Sequence, residues 1–260
     1  MIEQADFERR FGGIRRLYGD AALAKFQAAH VCVIGLGGVG SWAVEALARN
    51  AIGRLTLIDL DNISESNFNR QLHTLEGELG KPKVSAMAER VQRINANCQV
   101  LQIEEFITPD NVEELLGNVH YDGIIDAFDD APAKAALAAW CRDKQWPLVI
   151  AGGAGGRFDV TRIKTGDLGR AAGDPLLSKV RTLLRRNYGF PKGEKVKFDI
   201  TCVYSDEPIT RPDRCENEND ALTGLSCAGY GSSVCVTAPF GFAAAGWILN
   251  TLAKTSSSRT

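Results

Sequence analysis

The feature that most constrains this chain is an apolar run that ends in glycines. Val31-Cys32-Val33-Ile34 leads directly into Gly35-Leu36-Gly37-Gly38-Val39-Gly40, and Ser41-Trp42-Ala43-Val44-Glu45-Ala46-Leu47 follows with helical spacing. A continuous apolar run is what a strand buried on both faces looks like. The turn from such a strand into a helix uses glycine three times: Gly35 for the tight bend, Gly37 so that backbone can approach a phosphate, and Gly40 so that helix and strand pack closely. The helix N-terminus then faces an anion. Residues 54–59 read as the next strand, which closes a βαβ unit, and Asp59 ends it nineteen residues after Gly40, where a carboxylate accepts hydrogen bonds from ribose hydroxyls. This much fits NAD as well as ATP.

The alternation continues along the chain. Lys83–Ile94 has helical apolar positions at Val84, Met87, Val91 and Ile94; Gln99–Ile103 reads as a strand, 109–116 as a helix opened by proline, Gly123–Asp126 as a strand, Ala131–Lys144 as an alanine-rich helix and 147–151 as a buried strand. Strands alternating with helices predict an α/β, Rossmann-like fold, a mainly parallel sheet with helices on both faces, over residues 1–151. Gly152-Gly153-Ala154-Gly155-Gly156 then breaks the rhythm. Residues 152–230 read as a substrate-side region: a strand at 158–165, a basic helix at 176–188, a strand at 196–204 and a mobile, acidic loop at 205–220. Residues 231–260 read as a C-terminal helix packing back on the core. The stretch 234–249 is apolar but interrupted by Pro239 and shorter than the roughly 20 residues of a membrane helix, so the expectation is a buried helix and no membrane span.

Composition narrows the function. With 260 residues, 45% hydrophobic and 24% charged, the chain suits one large α/β domain carrying an insertion. A net charge of −2 excludes blanket attraction to nucleic acid, so binding of that kind must rest on a local patch. Lys179, Arg181, Arg185, Arg186, Lys192, Lys195 and Lys197 crowd one stretch, with Glu194 the one acid among them; phosphates of an RNA stem fit there, and so does an ordinary solvated helix face. Seven cysteines include no Cys-x-x-Cys pair, which predicts reduced thiols, a cytoplasmic setting and no zinc. The N-terminus has neither a basic start nor an apolar core, so no secretory signal is expected.

Three further motifs separate ATP from NAD. Asn67-Phe68-Asn69-Arg70-Gln71, Gly80-Lys81-Pro82-Lys83 and Asp126-Ala127-Phe128-Asp129-Asp130 follow Asp59 in order. A dehydrogenase has no use for an arginine and a lysine converging on its phosphates beside a strand-end carboxylate. An enzyme that splits ATP needs all three: Arg70 and Lys83 to neutralise a triphosphate, Asp129 to hold Mg2+, a hard cation that prefers oxygen. Taken singly, Asp126 and Asp129 also suit caps for a helix beginning near Ala131.

With these motifs in order, residues 7–155 resemble the superfamily of ubiquitin-activating-like adenylating enzymes. The resemblance implies a nucleotide cradle of Gly35, Gly37, Gly38 and Gly40, with Gly38 against the nucleotide. It implies that Asp59 holds the ribose, with Asp61 in the same ATP-binding set, that Asn67, Arg70 and Lys83 bind phosphates, and that Asp129 takes the metal. Arg70, Lys83 and Asp129 are the expected catalytic residues. In that family these groups join a carboxylate to AMP.

Within the superfamily, Arg10-Phe11-Gly12-Gly13, Arg16-Leu17-Tyr18-Gly19, the glycine run at 152–156 and Cys227-Ala228-Gly229-Tyr230-Gly231 resemble the branch that modifies tRNA, the tRNA threonylcarbamoyladenosine dehydratases, over nearly the whole chain. The carrier-protein activators usually keep two Cys-x-x-Cys pairs, absent here; activation of a ubiquitin-like sulfur carrier is the alternative reading. The dehydratase resemblance implies ATP-driven activation of the threonyl carboxylate next to the anticodon and ring closure with loss of water, on tRNA bound through residues such as Lys179, Arg181, Arg185 and Arg186. It also implies a homodimer whose arginine reaches the neighbouring ATP. Gly13 occupies the place of that arginine, which leaves Arg10 and Arg16 as candidates. A monovalent cation near residues 155–161 and a cysteine desulfurase or sulfur-acceptor system as partner are further expectations. Cys227 and Cys235 read as small core hydrophobes rather than as reactive thiols.

Overall fold

Two helices, α1 (Phe7–Tyr18) and α2 (Asp20–Ala28), precede the apolar run, which becomes β1 (His30–Ile34), buried at every residue. The chain then alternates through α3 (Gly40–Arg49), β2 (Arg54–Ile58), α4 (Lys83–Ile94), β3 (Gln99–Ile103), α5 (Val112–Leu116), β4 (Gly123–Asp126), α6 (Ala131–Lys144) and β5 (Leu148–Ala151). Beyond the glycine run lie β6 (Ile163–Asp167), α7 (Pro175–Asn187), β7 (Thr201–Ser205) and the long α8 (Val234–Lys254). This computed structural model describes residues 7–193, 196–210 and 230–254; Lys195, Cys215, Cys227 and most of the expected acidic loop lie outside them.

One seven-stranded sheet runs in the order β3-β2-β1-β4-β5-β7-β6, parallel throughout except for β6, which is antiparallel to β7. The α/β, Rossmann-like expectation therefore holds. The stretch after residue 151 adds its two strands to this same sheet. Strand order reverses between β1 and β4, so the crevice above their carboxyl ends is the switch point where open α/β sheets bind ligands.

Each face of the sheet buries its own core, as alternation along a strand requires. Val31, Val33, Leu55 and Leu57 point to α3, α4 and α8; Cys32, Ile34, Ile124 and Ile150 point to α5, α6 and α7. Four cysteines, at 32, 98, 141 and 202, are buried and unpaired, while Cys235 is exposed, which corrects its reading as a core residue.

The C-terminal helix lies within the expected 231–260 but extends past the apolar stretch 234–249. It passes through Pro239 and reaches Lys254, so its 21 residues satisfy the length of a membrane span. Burial decides its role. Ten of its residues, including Val236, Phe240, Ala244, Ile248 and Leu249, are buried inside the protein, where it packs on α3 and α2.

The starts of α5, β6 and β7 also move inward by several residues, each for a local reason. The Asn111 side chain ties to Thr108 and Phe106 and delays α5 from 109 to Val112. A 3-10 turn at Val160–Arg162, capped by the Asp159 carboxylate, postpones β6 to Ile163. Asp167 accepts the backbone N–H groups of Phe198 and Asp199, and Asp199 sits at φ +55, so β7 begins only at Thr201.

Candidate active site

A cavity of about 700 Å³ opens above the carboxyl ends of β1, β2, β4 and β5. Its floor follows from the glycine loop. Gly35 lies at φ +85, and a Cβ there would come 2.8 Å from the Phe128 nitrogen; a Cβ on Gly40 would sit 1.8 Å from the Gly35 carbonyl oxygen. No other residue fits either position, and the backbone of Gly37 and Gly38 is left bare on the cavity wall.

Asp59 stands at the end of β2, 8% exposed. Its carboxylate accepts the Leu36 N–H at 2.6 Å and the Asp61 N–H at 2.9 Å, which locks the loop after β2 against the glycine turn. Burial raises its pKa; Lys83 and the two backbone donors pull the other way. The Lys83 ammonium, in the first turn of α4, lies 2.7 Å from Asp61 Oδ2 and 3.8 Å from Asp59 Oδ1. Arg70 rests with Nη1 on the Ser66 carbonyl at 2.8 Å and on Asn69 Oδ1 at 2.9 Å, both exposed partners that a phosphate can replace.

Asp129 lines the same cavity, exposed, three residues past the end of β4. Its neighbour Asp130, rather than Asp126 or Asp129, caps α6 by accepting the Ala133 N–H at 2.7 Å. Asp126 is instead wholly buried with Lys134, whereas Asp129, exposed, lines the cavity. Among the described residues no cluster of three or more His, Cys, Asp or Glu side chains could hold a metal. A single carboxylate still suits Mg2+, which keeps most of its shell for phosphate oxygens and water.

Gly35, Gly37, Gly38, Asp59, Asp61, Arg70, Lys83 and Asp129 are thus brought together around one cavity. Gly40 supports it from below. Asn67 is not on its wall: its side chain accepts the Ser64 N–H at 3.2 Å and closes the 3-10 turn at Glu65–Asn67, so it shapes the loop that presents Arg70. Arg10 donates to the Ile94 carbonyl at the C-terminal end of α4, away from the cavity, and Arg16 is exposed on α1.

Several wall residues lie outside the set of site residues read from the sequence. Phe106, Ile107, Pro109 and Phe128 supply an apolar side, and Gln71 and Thr237 a polar one. Gln71 and Phe128 lay within recognised motifs but were given no role of their own; Thr237 lay in an apolar stretch that signalled only a core helix.

The basic segment is divided by its contacts. Arg181 is half-buried with Nη1 3.4 Å from the Leu168 carbonyl. Arg185 donates to the carbonyls of Pro191 and Gly193 and lies over the Phe198 ring. Lys179 and Arg186 stay exposed on α7, whose N-terminal Leu176 touches the cavity.

The chain matches known proteins along nearly its full length. The model of the ThiF family matches residues 11–258. A tRNA threonylcarbamoyladenosine dehydratase of Haemophilus influenzae is 46% identical over 97% of this chain and 96% of its own. Another from Escherichia coli is 45% identical over 92% and 91%. The crystal structure of the E. coli tRNA N6-threonylcarbamoyladenosine dehydratase in complex with ATP superposes with a TM-score of 0.86 at 43% identity, covering 97% of each chain.

Proposed function

This chain belongs to the ThiF family, and from that premise we propose that it uses ATP to cyclise N6-threonylcarbamoyladenosine in tRNA, next to the anticodon, with net loss of one water. The observation that carries the reading is the convergence of Asp59, Arg70, Lys83 and Asp129 on one cavity beside the bare Gly37–Gly38 backbone, in a chain 46% identical to such a dehydratase.

The chemistry needs activation because a carboxylate oxygen is a poor leaving group. A threonyl carboxylate oxygen attacks the α-phosphorus of ATP, the bond to the β-phosphate breaks, and pyrophosphate leaves. The acyl adenylate is then attacked by the carbamoyl group of the same side chain; AMP departs with the former carboxylate oxygen, and the ring closes. Attacker and electrophile are held in one molecule, so no covalent enzyme intermediate is required.

The residues divide this work. The Gly37 and Gly38 backbone and Arg70 receive phosphate oxygens, and Lys83, released from Asp61, follows the charge that moves onto pyrophosphate. Asp59 is set for the ribose hydroxyls. Asp129 would hold Mg2+, which supplies charge neutralisation at the phosphates when bound. The exposed Lys179 and Arg186 offer contacts to tRNA phosphates beyond the cavity, and Arg10 or Arg16 completes the site of a second copy in a homodimer. The cytoplasm, where tRNA is handled, is the expected location.

Mass spectrometry of tRNA nucleosides after incubation with the protein and ATP tests the reading. A product lighter by one water, formed only with ATP, is expected. Unchanged threonylcarbamoyladenosine, with pyrophosphate exchange stimulated instead by a carrier protein ending in Gly-Gly, would replace this reading with sulfur-carrier activation.

A further inference from the structure

Two side chains on the cavity wall each bury a polar oxygen that has no hydrogen-bond partner inside the protein. Thr237, in the first turn of α8, is 1% exposed and its Oγ1 makes no hydrogen bond; Gln71 is 7% exposed and its Oε1 makes none. They flank the same pair of glycines. A Cβ on Gly38 would lie 3.3 Å from Thr237 Cβ and 3.2 Å from Arg70 Cγ, and one on Gly37 would lie 3.9 Å from Gln71 Nε2. The Asn69 amide, 2.7 Å from the Ser232 carbonyl, ties the Arg70 loop to the start of this helix.

An unpaired hydroxyl at this position is unusual twice over. Buried hydroxyls nearly always find a partner, and a threonine in a helix normally has one at hand in the carbonyl one turn back. Here the Ser233 carbonyl already accepts the N–H groups of Val236 and Thr237, at 3.0 Å each. Thr237 is also the one polar side chain among the ten buried residues of α8; valine would fill the same space with nothing left unpaired.

We propose that Thr237 forms an anion subsite, its hydroxyl donating to an oxygen of the ligand seated over Gly37 and Gly38. That oxygen belongs either to an ATP phosphate or to the carboxylate being activated, and the inference rests on the adenylation reading above. Oγ1 is withdrawn from solvent in this structure, although Thr237 lines the cavity, so presenting the hydroxyl to a ligand requires rotation about χ1, for which a helical threonine has two wells. The C-terminal helix thereby becomes part of the site. The Gln71 amide stands beside the neighbouring Gly37.

Thr237→Val and Thr237→Ser test this in the full-length protein. Calorimetric titration with ATP in the absence of tRNA reads the phosphate arm; turnover and KM for modified tRNA at saturating ATP read the carboxylate arm. Thr237→Val is expected to melt no lower than the wild type yet to lose about tenfold to a hundredfold in one arm, with Thr237→Ser within about threefold of wild type. Loss in the first arm assigns the phosphate, loss confined to the second assigns the carboxylate, and Thr237→Val matching the wild type in both overturns the subsite. If Thr237→Val is too unstable to assay, Thr237→Ala goes through the same two arms and is judged by the same outcomes. ATP bound by a wild type that leaves tRNA unchanged would sink the cyclisation reading instead, and the affinity arm would still judge Thr237.

Discussion

The Lys134 ammonium lies 2.6 Å from Asp126 Oδ1 and 2.9 Å from the Ala151 carbonyl, with both charged side chains completely buried. One side chain of α6 thus ties the ends of β4 and β5 together beneath the cavity, and the chain runs from Asp126 through Ala127 and Phe128 to Asp129. Burial pushes the Asp126 carboxyl up to about 6, with Lys134 opposing. Replacing Lys134 by Met leaves that carboxyl without its partner and should cost about 3–5 kcal/mol. The pair Asp126→Asn with Lys134→Met should cost much less than the sum of the single changes, by chemical denaturation. Simple additivity would show that the two groups do not act together.

Arg70→Ala should lower ATP-dependent turnover by about a hundredfold to a thousandfold, since it removes a charge from the place where phosphate charge develops. The fold should survive, because the Arg70 guanidinium hydrogen-bonds to local loop groups, Ser66 and Asn69. Steady-state kinetics beside a thermal melt measures both. Wild-type turnover would remove Arg70 from the site.

Glu45 gives a pH dependence with a definite sign. Burial alone would raise its carboxyl, but hydrogen bonds from Arg90 at 2.7 Å and Arg49 at 2.7 Å outweigh it and hold the pKa below 4.5. A depressed carboxylate stabilises the fold above its unfolded pKa and loses that contribution as pH falls through the folded value. Glu45→Gln should therefore melt below the wild type at pH 7, by about 1–3 kcal/mol, and the gap should close as the pH falls below about 4.5. A gap that widens in acid would contradict the assignment.

Gly40→Ala places a methyl 1.8 Å from the Gly35 carbonyl oxygen, a backbone atom with nowhere to go. It should destabilise by more than about 3 kcal/mol and abolish nucleotide binding. Gly246→Ala, whose Cβ meets nothing within 4 Å on α8, should be neutral or stabilising by up to about 1 kcal/mol. Paired thermal melts with and without ATP compare the two.

Lys179→Ala with Arg186→Ala should weaken tRNA binding and flatten its dependence on salt, by roughly 0.7–0.9 in the logarithmic slope for each phosphate no longer neutralised. ATP affinity should not change. An unaltered slope in filter binding across a salt series would place the tRNA elsewhere.

Much of this was legible in the chain. The bounds of Lys83–Ile94, Gln99–Ile103, Gly123–Asp126 and Ala131–Lys144 follow from apolar periodicity and turn residues, which act over one or two turns and so are written locally. The Gly35–Gly40 loop was equally plain, because steric demands on a glycine depend on its immediate neighbours. Arg70, Lys83 and Asp129 were legible as chemical types in order, and the resemblance they carried proved sound.

What local sequence could not carry was partnership across the fold. Asp126 and Asp129 look alike in the chain; one is buried against Lys134 and the other faces the cavity only because β4 ends where it does. Asn67 and Arg70 share a motif, yet one closes a turn and the other reaches the cavity wall. Thr237 lies in a stretch apolar enough to suit a membrane, and only the packing of α8 against α3 and the glycine loop brings its side chain beside Gly38. Sequence by itself determined the elements, the glycine turn and the charges available. The tertiary structure decided which charges are spent inside the protein and which are left for a ligand, because desolvation and pairing depend on neighbours brought together in space, from Lys134, close in sequence to Asp126, to Thr237, far in sequence from Gly38.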